Sequence, residues 1–491
     1  MPALSEGGRS EGDCSEGGRA RPGRAEETSR AVREDEPMST RQGQDGIEAE
    51  YRAVEGELLR RWPETRLEPS RDRIEDLVDV LGSPQRSYPS IHITGTNGKT
   101  TTARMIDELL RALNLRTGRY TSPHLEEMRE RICLDGEPIS RERFVEVYRD
   151  VQPFAELVDK RQPFPLSFFE MITGMAYAAF ADAPVDAAVV EVGLGGTWDS
   201  TNVIDAQVAV VTPISLDHTH LLGDTVEEIA WEKAGIIKAG ALVVLAQQPL
   251  EAAQVLLRQA AEVGATVARE GIEFGVMDRQ LAVGGQQLVI KGLSQEYDDV
   301  YLPLYGVHQA HNAACAIAAV EAFLGAGQGG GTLEPQIVRE AMAAVRSPGR
   351  LEVVRRSPTV LIDAAHNPGG ALATAEAVAE EFSFDHLVGV IAAMRDKDVR
   401  GVLEAFEPVL AEVVVTRNST ERAMPVAELA AIAGDVFGPE RVTPVDRLDD
   451  AIERAIGLAE EGVPDASLGG TGVLITGSVV TAGEAGRLLR H

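Results

Sequence analysis

A glycine-containing loop between an apolar run and a helical pattern is the part of this chain with the most specific chemistry. Residues 91–102 read Ile-His-Ile-Thr-Gly-Thr-Asn-Gly-Lys-Thr-Thr-Thr. Gly95 and Gly98 lack a Cβ, so backbone N–H groups can approach phosphate oxygens, to which the following helix presents its positive end. Lys99 would reach the β- and γ-phosphates, and the hydroxyl of Thr100 or Thr101 would bind Mg²⁺. The loop therefore predicts a nucleoside triphosphate site.

The sequence around this loop supports the interpretation, although the loop departs from the strict P-loop pattern. That pattern has a glycine five positions before Gly98, where this chain has Ile93. After the loop, apolar residues recur at helical spacing, namely Met105, Ile106, Leu109, Leu110 and Leu113. A strand, a loop and an amphipathic helix are what the phosphate site needs, and an ordinary glycine turn is the alternative.

Two further groups of polar residues follow apolar runs, at the edge where open α/β sheets bind ligands. Glu191 ends one run and precedes Val-Gly-Leu-Gly-Gly, and Asp217-His218 follows another. A carboxylate is rarely buried without a partner, so we interpret Glu191 as a Mg²⁺ ligand, with a structural partner as the alternative. The histidine has a competing explanation as an ordinary polar residue at a strand end.

Three other motifs specify little when each is considered alone. Lys233 lies near the end of a helix predicted from Thr225, where a solvated lysine is the simplest explanation. Residues 121–124 read Thr-Ser-Pro-His, a turn with a hydroxyl and an imidazole. Residues 363–369 read Asp-Ala-Ala-His-Asn-Pro-Gly, for which a plain Asn-Pro turn is a serious alternative.

Composition limits the classes of partner. The chain has 491 residues and a formal net charge of −30, and this charge repels nucleic acid and anionic membrane surfaces. An anionic substrate must therefore be attracted by a local cluster of cationic groups. The three cysteines show no metal-binding spacing, and the sequence lacks an apolar signal core or a membrane-spanning run. We expect a cytoplasmic protein with neither nucleic acid nor membrane as partner.

The elements that must position these residues belong to an α/β fold. Residues 1–45 predict a disordered tail rich in glycine and acidic residues, followed by two helices. Residues 46–346 predict a P-loop ATPase-type domain with a mostly parallel sheet, formed by short apolar runs at 186–192, 207–212 and 241–246. A small antiparallel insertion is expected over 266–305, before a helix at 311–320. Residues 347–491 predict a Rossmann-like α/β domain, with strands at 359–363, 386–392, 412–416 and 473–476 and a helix at 426–437.

The order of these motifs resembles the folylpolyglutamate synthase/dihydrofolate synthase family, a branch of the Mur ligase superfamily. The resemblance spans nearly the whole chain from residue 50. The glycine loop is shared with Mur ligases, whereas Glu191–Gly196 with Asp199 and Thr201-Asn202, together with Asp217-His218 and Glu232–Gly235, is specific to the folate branch. Ser347–Arg350, Met394–Asp398 and Thr476–Ser478 extend it along the second domain.

The resemblance implies an ATP-dependent amide ligase. Such enzymes transfer the γ-phosphoryl group of ATP to a carboxylate, and the amino group of L-glutamate then attacks the acyl phosphate. The acceptor would be a folate and possibly also dihydropteroate, two Mg²⁺ ions would take part, and relatives are commonly monomeric. Family positions that bind ATP match Gly95, Thr96, Asn97, Gly98, Lys99, Thr100, Thr101, Asn312, Arg350 and Asp363.

The remaining roles are also implied only by the resemblance. Positions that hold Mg²⁺ match Thr100, Ser122, Glu191 and His218. The substrate side would include Ser122, His124 and His366. Lys233 matches a lysine that CO₂ carbamylates, converting its ammonium into an extended carboxylate. The residues with catalytic roles would then be Lys99, Lys233, His218 and Arg350.

The chain departs from the folate-branch pattern at several positions, and two alternatives stay open. Thr100 follows the loop lysine, as in Mur ligases, where the folate branch usually has glycine. Thr197, Trp198 and Ala364 also differ from common family residues. One alternative is a Mur-type ligase acting on a UDP-muramyl precursor, although only about 45 residues with an ordered pattern precede the loop, too few for a separate UDP-binding domain. The other is an ATP-binding switch that does not ligate.

Overall fold

A parallel sheet carries the glycine loop near its centre. The computed structural model describes residues 38–63, 69–326, 330–461 and 470–490. The first of its sheets has eight strands in the order β4-β3-β2-β5-β1-β6-β7-β8, and among these strands only the pairs β2–β3 and β3–β4 are antiparallel. The strands are β1 (Ser90–Thr94), β2 (Thr117–Tyr120), β3 (Ile132–Leu134), β4 (Glu137–Pro138), β5 (Ala187–Glu191), β6 (Val208–Val211), β7 (Leu242–Leu245) and β8 (Thr266–Arg269).

Helices cover both faces of this sheet. Ile91 and Ile93 of β1 belong to one buried cluster with Met105 and Ile106 of α3, whereas Val190 of β5 belongs to a second cluster on the other face. This division follows from the alternation of side chains along a strand. The helices are α1 (Met38–Leu59), α2 (Asp72–Val80), α3 (Lys99–Ala112), α4 (Arg141–Arg161), α5 (Phe168–Asp182), α6 (Thr219–Leu222), α7 (Val226–Lys233), α8 (Leu250–Val263), α9 (Val307–Phe323) and α10 (Pro335–Ala344).

A three-stranded antiparallel sheet forms the insertion, in the order β11-β10-β9. Its strands are β9 (Gly275–Ala282), β10 (Gly285–Lys291) and β11 (Glu296–Leu302). The expected insertion began too early, at residue 266, because Thr266–Arg269 forms β8 and pairs in parallel with β7. As the edge strand of the larger sheet, β8 is only partly buried, with Ala268 as its one buried residue, so it lacks the continuous apolar run of the inner strands.

The third sheet has six strands in the order β12-β13-β17-β14-β15-β16, and only the β12–β13 pair is antiparallel. The strands are β12 (Glu352–Arg356), β13 (Thr359–Ile362), β14 (His386–Ile391), β15 (Glu412–Val415), β16 (Val442–Pro444) and β17 (Thr471–Thr476). Its helices are α11 (Pro368–Glu381), α12 (Val399–Phe406), α13 (Val426–Phe437), α14 (Leu448–Glu461) and α15 (Val479–Arg490). Consecutive residues of β17, such as Leu474 and Ile475, belong to different buried clusters, so this sheet is also covered on both faces.

The predicted α/β class, with its mostly parallel sheets, is therefore confirmed. We call the described parts of residues 47–346 and 347–490 the first and second lobes. The predicted tail falls mainly on residues 1–37, which lie outside the described residues, and α1 begins at Met38. Within the described ranges, no helix is long and apolar enough to cross a membrane. Cys133 and Cys315 are buried and form no disulfide.

A buried carboxylate fixes the insertion to α9. Glu321 has no exposed surface and accepts hydrogen bonds from the hydroxyl of Tyr297 at 2.7 Å and from the backbone N–H of Ser294 at 3.2 Å. The N–H of Leu293 also donates to it. Burial raises the pKa of Glu321. Because a buried carboxylate is stable only when it is satisfied, this side chain fixes the loop that joins β10 and β11.

Replacement of Glu321 tests this attachment. Glu321→Ala leaves the three donors without an acceptor, so we expect a loss of about 3 kcal/mol and a fall of about 3 °C in the melting temperature. Glu376→Ala, on the exposed face of α11, is the control and should change stability by less than about 0.5 kcal/mol. Equal melting temperatures for the two variants, measured by calorimetry, would contradict this role.

Candidate active site

The glycine loop follows β1 and is closely packed from two sides. Gly95 has φ +143°, and a Cβ there would lie 1.9 Å from the hydroxyl of Thr212 and 2.8 Å from its carbonyl oxygen. Gly98 has φ +88°, and its Cβ would lie 2.5 Å from the Oδ1 atom of Asn312. Both positions therefore require glycine, for conformation and for space. The shape of the glycine loop is therefore set by Thr212, which follows β6, and by Asn312 of α9, as well as by its own sequence.

Two lysines converge on one carbonyl oxygen of this loop. The Nζ atom of Lys99 donates to the carbonyls of Gly95 and Thr96, both at 3.1 Å. The Nζ atom of Lys233 donates to the same Gly95 carbonyl at 2.8 Å. Burial, reinforced by the charge of Lys99, lowers the pKa of Lys233 to about 7, and burial also lowers the pKa of Lys99. Near neutral pH a substantial fraction of Lys233 is therefore uncharged, beside a loop whose backbone N–H groups and Lys99 face the cavity.

Lys233 is held in place by the loop that follows β5. The backbone N–H of Thr197 donates to the carbonyl of Glu232 at 3.0 Å, and the N–H of Trp198 donates to the Glu232 carboxylate at 3.3 Å. A Cβ on Gly196 would lie 2.9 Å from the Lys233 carbonyl, so this close approach requires glycine. Thr197 and Trp198 depart from the family pattern, but both make these contacts with their backbone N–H groups, and the Thr197 hydroxyl adds a hydrogen bond to the Glu232 carbonyl at 3.0 Å. The end of α7 therefore stays fixed despite these departures.

Glu191 lies beside the first turn of α3. Its carboxylate accepts hydrogen bonds from the Thr100 hydroxyl at 2.9 and 3.1 Å and from the backbone N–H of Ser122 at 3.2 Å. Burial raises the pKa of this carboxyl, although the charge of Lys99 opposes the rise. Three of the predicted Mg²⁺ ligands are thus together. Over the described ranges, no group of three His, Cys, Asp or Glu side chains is arranged to hold a metal, so an ion here would need hydroxyl and phosphate oxygens as further ligands.

Asp217 of the first lobe binds a cation of the second lobe, Lys397. The Asp217 carboxylate accepts hydrogen bonds from the Nζ atom of Lys397 at 2.6 Å and from the side-chain amide of Asn367 at 3.0 Å. His366 lies 3.6 Å from it, and Lys397 also donates to the Nε2 atom of His218 at 3.1 Å. Burial opposes ionisation of Asp217, but His366, His218 and Lys397 together hold its pKa well below the usual range. Burial and the nearby Lys397 lower the pKa of His218 to about 3, so its imidazole is neutral.

A reciprocal pair of amides joins the loop to the second lobe. Asn97 donates to the Asn367 oxygen at 3.3 Å, and Asn367 donates to the Asn97 oxygen at 3.1 Å. Asn367 is buried and also caps α11, accepting from the N–H of Gly370 at 2.8 Å. Asp363, by contrast, is engaged within its own lobe, where the backbone of Leu351 and Ala365 and the hydroxyl of Thr374 donate to it.

A cavity of about 380 Å³ brings nearly all the predicted site residues together. The predicted residues that line it are Gly95, Thr96, Asn97, Gly98, Lys99, Thr100, Thr101, Ser122, Glu191, His218, Lys233, Asn312, Arg350, Asp363 and His366. His124 does not line it, because its Nδ1 atom accepts a hydrogen bond from Arg131 at 3.0 Å and its ring borders a separate cavity of about 30 Å³. The smaller cavity shares Thr100 and Arg350 with the larger one, and the expected place of His124 on the substrate side stays a prediction.

Sequence reasoning missed several residues of the site. Lys397 lies within Met394–Asp398 and Asn367 within the 363–369 motif, so both stood in recognised motifs without an assigned role. These two residues lie beside the cavity, where both bind Asp217. Glu270 and His311 line the cavity itself, where the Nδ1 atom of His311 lies 2.5 Å from the Glu270 carboxylate, and this carboxylate raises the pKa of His311. No spacing in the sequence indicates that last pair, because β8 and α9 meet only in the folded chain.

Comparisons with known proteins agree with this geometry. Residues 165–320 match the Mur ligase middle domain, and residues 349–479 match the Mur ligase glutamate ligase domain. The chain is 53% identical over 450 residues to the dihydrofolate synthase/folylpolyglutamate synthase of Mycobacterium tuberculosis, covering 88% of this chain and 92% of that protein. It is 36% identical over 412 residues to the folylpolyglutamate synthase of Lacticaseibacillus casei, covering 83% of this chain and 92% of that protein.

Solved structures show the same likeness. The Mycobacterium tuberculosis folylpolyglutamate synthase complexed with ADP and AMPPCP superposes with a TM-score of 0.86 at 52% identity, covering 91% of this chain and 99% of that one.

Substitution of a loop glycine tests the phosphate site. Gly98→Ala would force its Cβ against Asn312, so we expect nucleotide affinity to fall by at least about tenfold, the equivalent of about 1.4 kcal/mol. Gly240→Ala is the matched control, because Gly240 has φ +80° but no atom lies within 4 Å of its Cβ position. Titration with a fluorescent ATP analogue measures both. A Gly98→Ala protein that binds nucleotide as tightly as Gly240→Ala would refute the assignment.

Proposed function

Because the chain belongs to the dihydrofolate synthase/folylpolyglutamate synthase family of Mur ligases, we propose that it uses ATP to join L-glutamate to a folate. We extend the proposal to dihydropteroate as a second acceptor, as in the name of the Mycobacterium tuberculosis relative. The observation that supports the proposal best is the convergence of Lys99, Lys233 and Glu191 from the first lobe with Arg350 and His366 from the second in one cavity.

The chemistry requires that a carboxylate be activated before an amine can displace an oxygen from it. In the first step, a carboxylate oxygen of the acceptor attacks the γ-phosphorus of ATP, and ADP leaves. In the second step, the amino group of glutamate attacks the acyl carbon, the C–O bond to phosphate breaks, and the amine loses a proton. Phosphate is the second product. Each step moves negative charge, which fixed cations stabilise.

The cations of the cavity are arranged for this task. Lys99 lies over the glycine loop, and Arg350 follows the Ser-Pro-Gly segment that leads into the second lobe. We assign Lys99 to the phosphate groups and Arg350 to a contact with the nucleotide from the second lobe, together with Asn312. Without these groups, the net charge of −30 would oppose ATP binding.

The residues around Glu191 suit Mg²⁺. This ion prefers oxygen ligands and commonly uses one or two carboxylates together with substrate phosphates and water. Glu191 supplies a buried carboxylate, and Thr100 supplies a hydroxyl within 2.9 Å of it. We assign Glu191, Thr100 and Ser122 to one ion and the neutral imidazole of His218 to a second. The ions would offset charge on the transferring phosphoryl group.

Lys233 suits carbamylation by CO₂, which requires a neutral amine. Its lowered pKa, about 7, supplies that form near neutral pH. The ammonium group first loses one proton, and the neutral nitrogen then attacks the carbon of CO₂ and loses a second proton, so the side chain ends as an anion. A carbamate nitrogen retains one N–H, and the hydrogen bond to the Gly95 carbonyl can therefore persist. The new carboxylate would support the second Mg²⁺ ion.

Other parts of the interpretation remain predictions. We propose that residues 46–346 and 347–491 are separate domains, with nucleotide bound by the first and glutamate by the second. A monomeric state and a cytoplasmic location are expected from the sequence. Cytoplasmic location agrees with the two described cysteines, which are unpaired and buried.

A substrate-omission assay tests the function. With ATP, Mg²⁺, L-glutamate and tetrahydrofolate or dihydropteroate, the protein should release ADP and phosphate and form a product heavier by one glutamyl residue. Omission of any substrate should abolish release, because acyl transfer consumes all of them. A UDP-muramyl peptide precursor as acceptor is the control for the Mur-type alternative. Turnover with that acceptor alone, or ATP hydrolysis that ignores glutamate, would overturn the proposal.

Substitution of Lys233 tests its place in the reaction. Lys233→Ala removes the group that we assign to carbamylation, so we expect kcat to fall by at least about 100-fold while the fold is retained. Added formate or acetate should restore part of the activity, because a free carboxylate can replace the carbamate. Lys160→Ala, on the exposed face of α4, is the control and should retain full activity. Undiminished turnover by Lys233→Ala would remove this residue from the mechanism.

A further inference from the structure

Helix α11 of the second lobe is attached to the first lobe at both of its ends. At the N-terminal end, Asn367 pairs with Asn97 of the glycine loop and donates to Asp217. At the C-terminal end, Arg279 of the antiparallel insertion donates from Nη1 to Glu380 at 2.7 Å and from Nη2 to Glu381 at 2.5 Å. The helix has 14 residues, so the two attachments lie about 20 Å apart.

The two ion pairs at the C-terminal end differ in burial. The Glu381 side chain is 3% exposed and also accepts from the backbone N–H of Gly306 at 3.2 Å. The Glu380 side chain is 46% exposed. An exposed ion pair contributes little, whereas the loss of one partner from a buried pair leaves an uncompensated charge. Arg279 and Glu381 therefore form the effective attachment.

Arg279 is itself fixed from the side of the insertion. Its Nε atom donates to the side-chain oxygen of Gln286 at 2.6 Å. Gln286 has no exposed surface, and its amide donates to the carbonyls of Leu304 at 2.8 Å and Gly306 at 3.1 Å. The guanidinium group is thus held on a rigid part of the first lobe, in one orientation toward α11.

Gly306 connects this attachment to the nucleotide cavity. It immediately precedes α9, has φ +93°, and a Cβ there would lie 2.8 Å from the Cβ atom of Ala377 in α11. Helix α9 carries Asn312 into the cavity, against Gly98 of the glycine loop. The insertion is therefore connected to the glycine loop by two routes, one through α9 and one through α11.

We infer that Arg279 is a positioning residue for the ligase reaction, an inference that rests on the function proposed above. By fixing one end of α11, Arg279 sets the position of His366 and Asn367 at the other end, over the glycine loop. A helix of this length moves as a rigid rod, so a tilt at the insertion displaces its N-terminus. Because reacting groups tolerate little misplacement, a shift of about 1 Å can cost about 100-fold in rate.

Kinetics of variants at the two ion pairs test the inference. For Arg279→Gln and Glu381→Gln, we expect kcat/KM for glutamate to fall by about 10- to 100-fold, while the dissociation constant of AMPPCP changes by less than about twofold. The nucleotide loop is intact in both variants, so a general loss of folding would weaken both quantities. Arg279→Lys should restore part of the rate. Glu380→Gln is the matched control and should resemble the unaltered protein because its ion pair is exposed.

Hydrogen exchange and a double-variant cycle separate this role from a simple stabilising one. In Arg279→Gln, amide exchange should increase over residues 367–374, at the far end of α11. Combining Arg279→Gln with Asn367→Ala should lower kcat/KM by less than the product of the two separate effects, because both act on one placement. Unchanged exchange, or independent effects in the cycle, would overturn the inference. If the unaltered protein showed no ligase activity, that result would contradict the proposed function. The hydrogen-exchange comparison would still test whether Arg279 positions α11.

Discussion

The structure of the site depends on two lysine side chains that donate to one carbonyl oxygen. Lys99 and Lys233 both approach the Gly95 carbonyl, and the charge of Lys99 contributes to the low pKa of Lys233. Two ammonium groups this close repel each other, which favours the neutral form of Lys233, the form that can react with CO₂. The tight packing of Gly95 against Thr212 and the contact of Gly196 with the end of α7 hold the two groups in this arrangement. Their convergence therefore supports the division of roles that we propose, with Lys99 on the phosphate groups and Lys233 carbamylated.

Most of the fold was predictable because its signals are local. Short apolar runs gave the strands of both parallel sheets, and polar residues after β1, β5 and β6 identified the edge on which the site lies. The start of the insertion was predicted wrongly at residue 266, since an edge strand such as β8 is only partly buried and lacks the apolar run that identified the inner strands. The contact of His124 with Arg131 was not predicted, and its place on the substrate side stays a prediction.

The parts that could not be predicted depend on contacts between distant residues. Asn97 and Asn367 are 270 positions apart, and Asp217 and Lys397 are 180 positions apart. Each residue alone has an ordinary explanation in a turn or at a strand end, so no local pattern indicates its partner. Arg279 is a similar case, because the sequence pattern of an amphipathic strand predicts a solvent-exposed arginine at this position. Its function becomes visible only when α11 is placed against the insertion.

The amide pair between Asn97 and Asn367 has a consequence for how the two lobes can work. Each amide offers a donor and an acceptor, so the pair is satisfied without a net charge. It can therefore part and form again without a proton being transferred and without a counter-ion being recruited. Carboxylates at these positions would repel a triphosphate, and ammonium groups would compete with Lys99 for it. The amide pair therefore adds no charge between the lobes, where the ion pairs Asp217–Lys397 and Arg279–Glu381 already lie, and it leaves the cations near the glycine loop free of a further competitor.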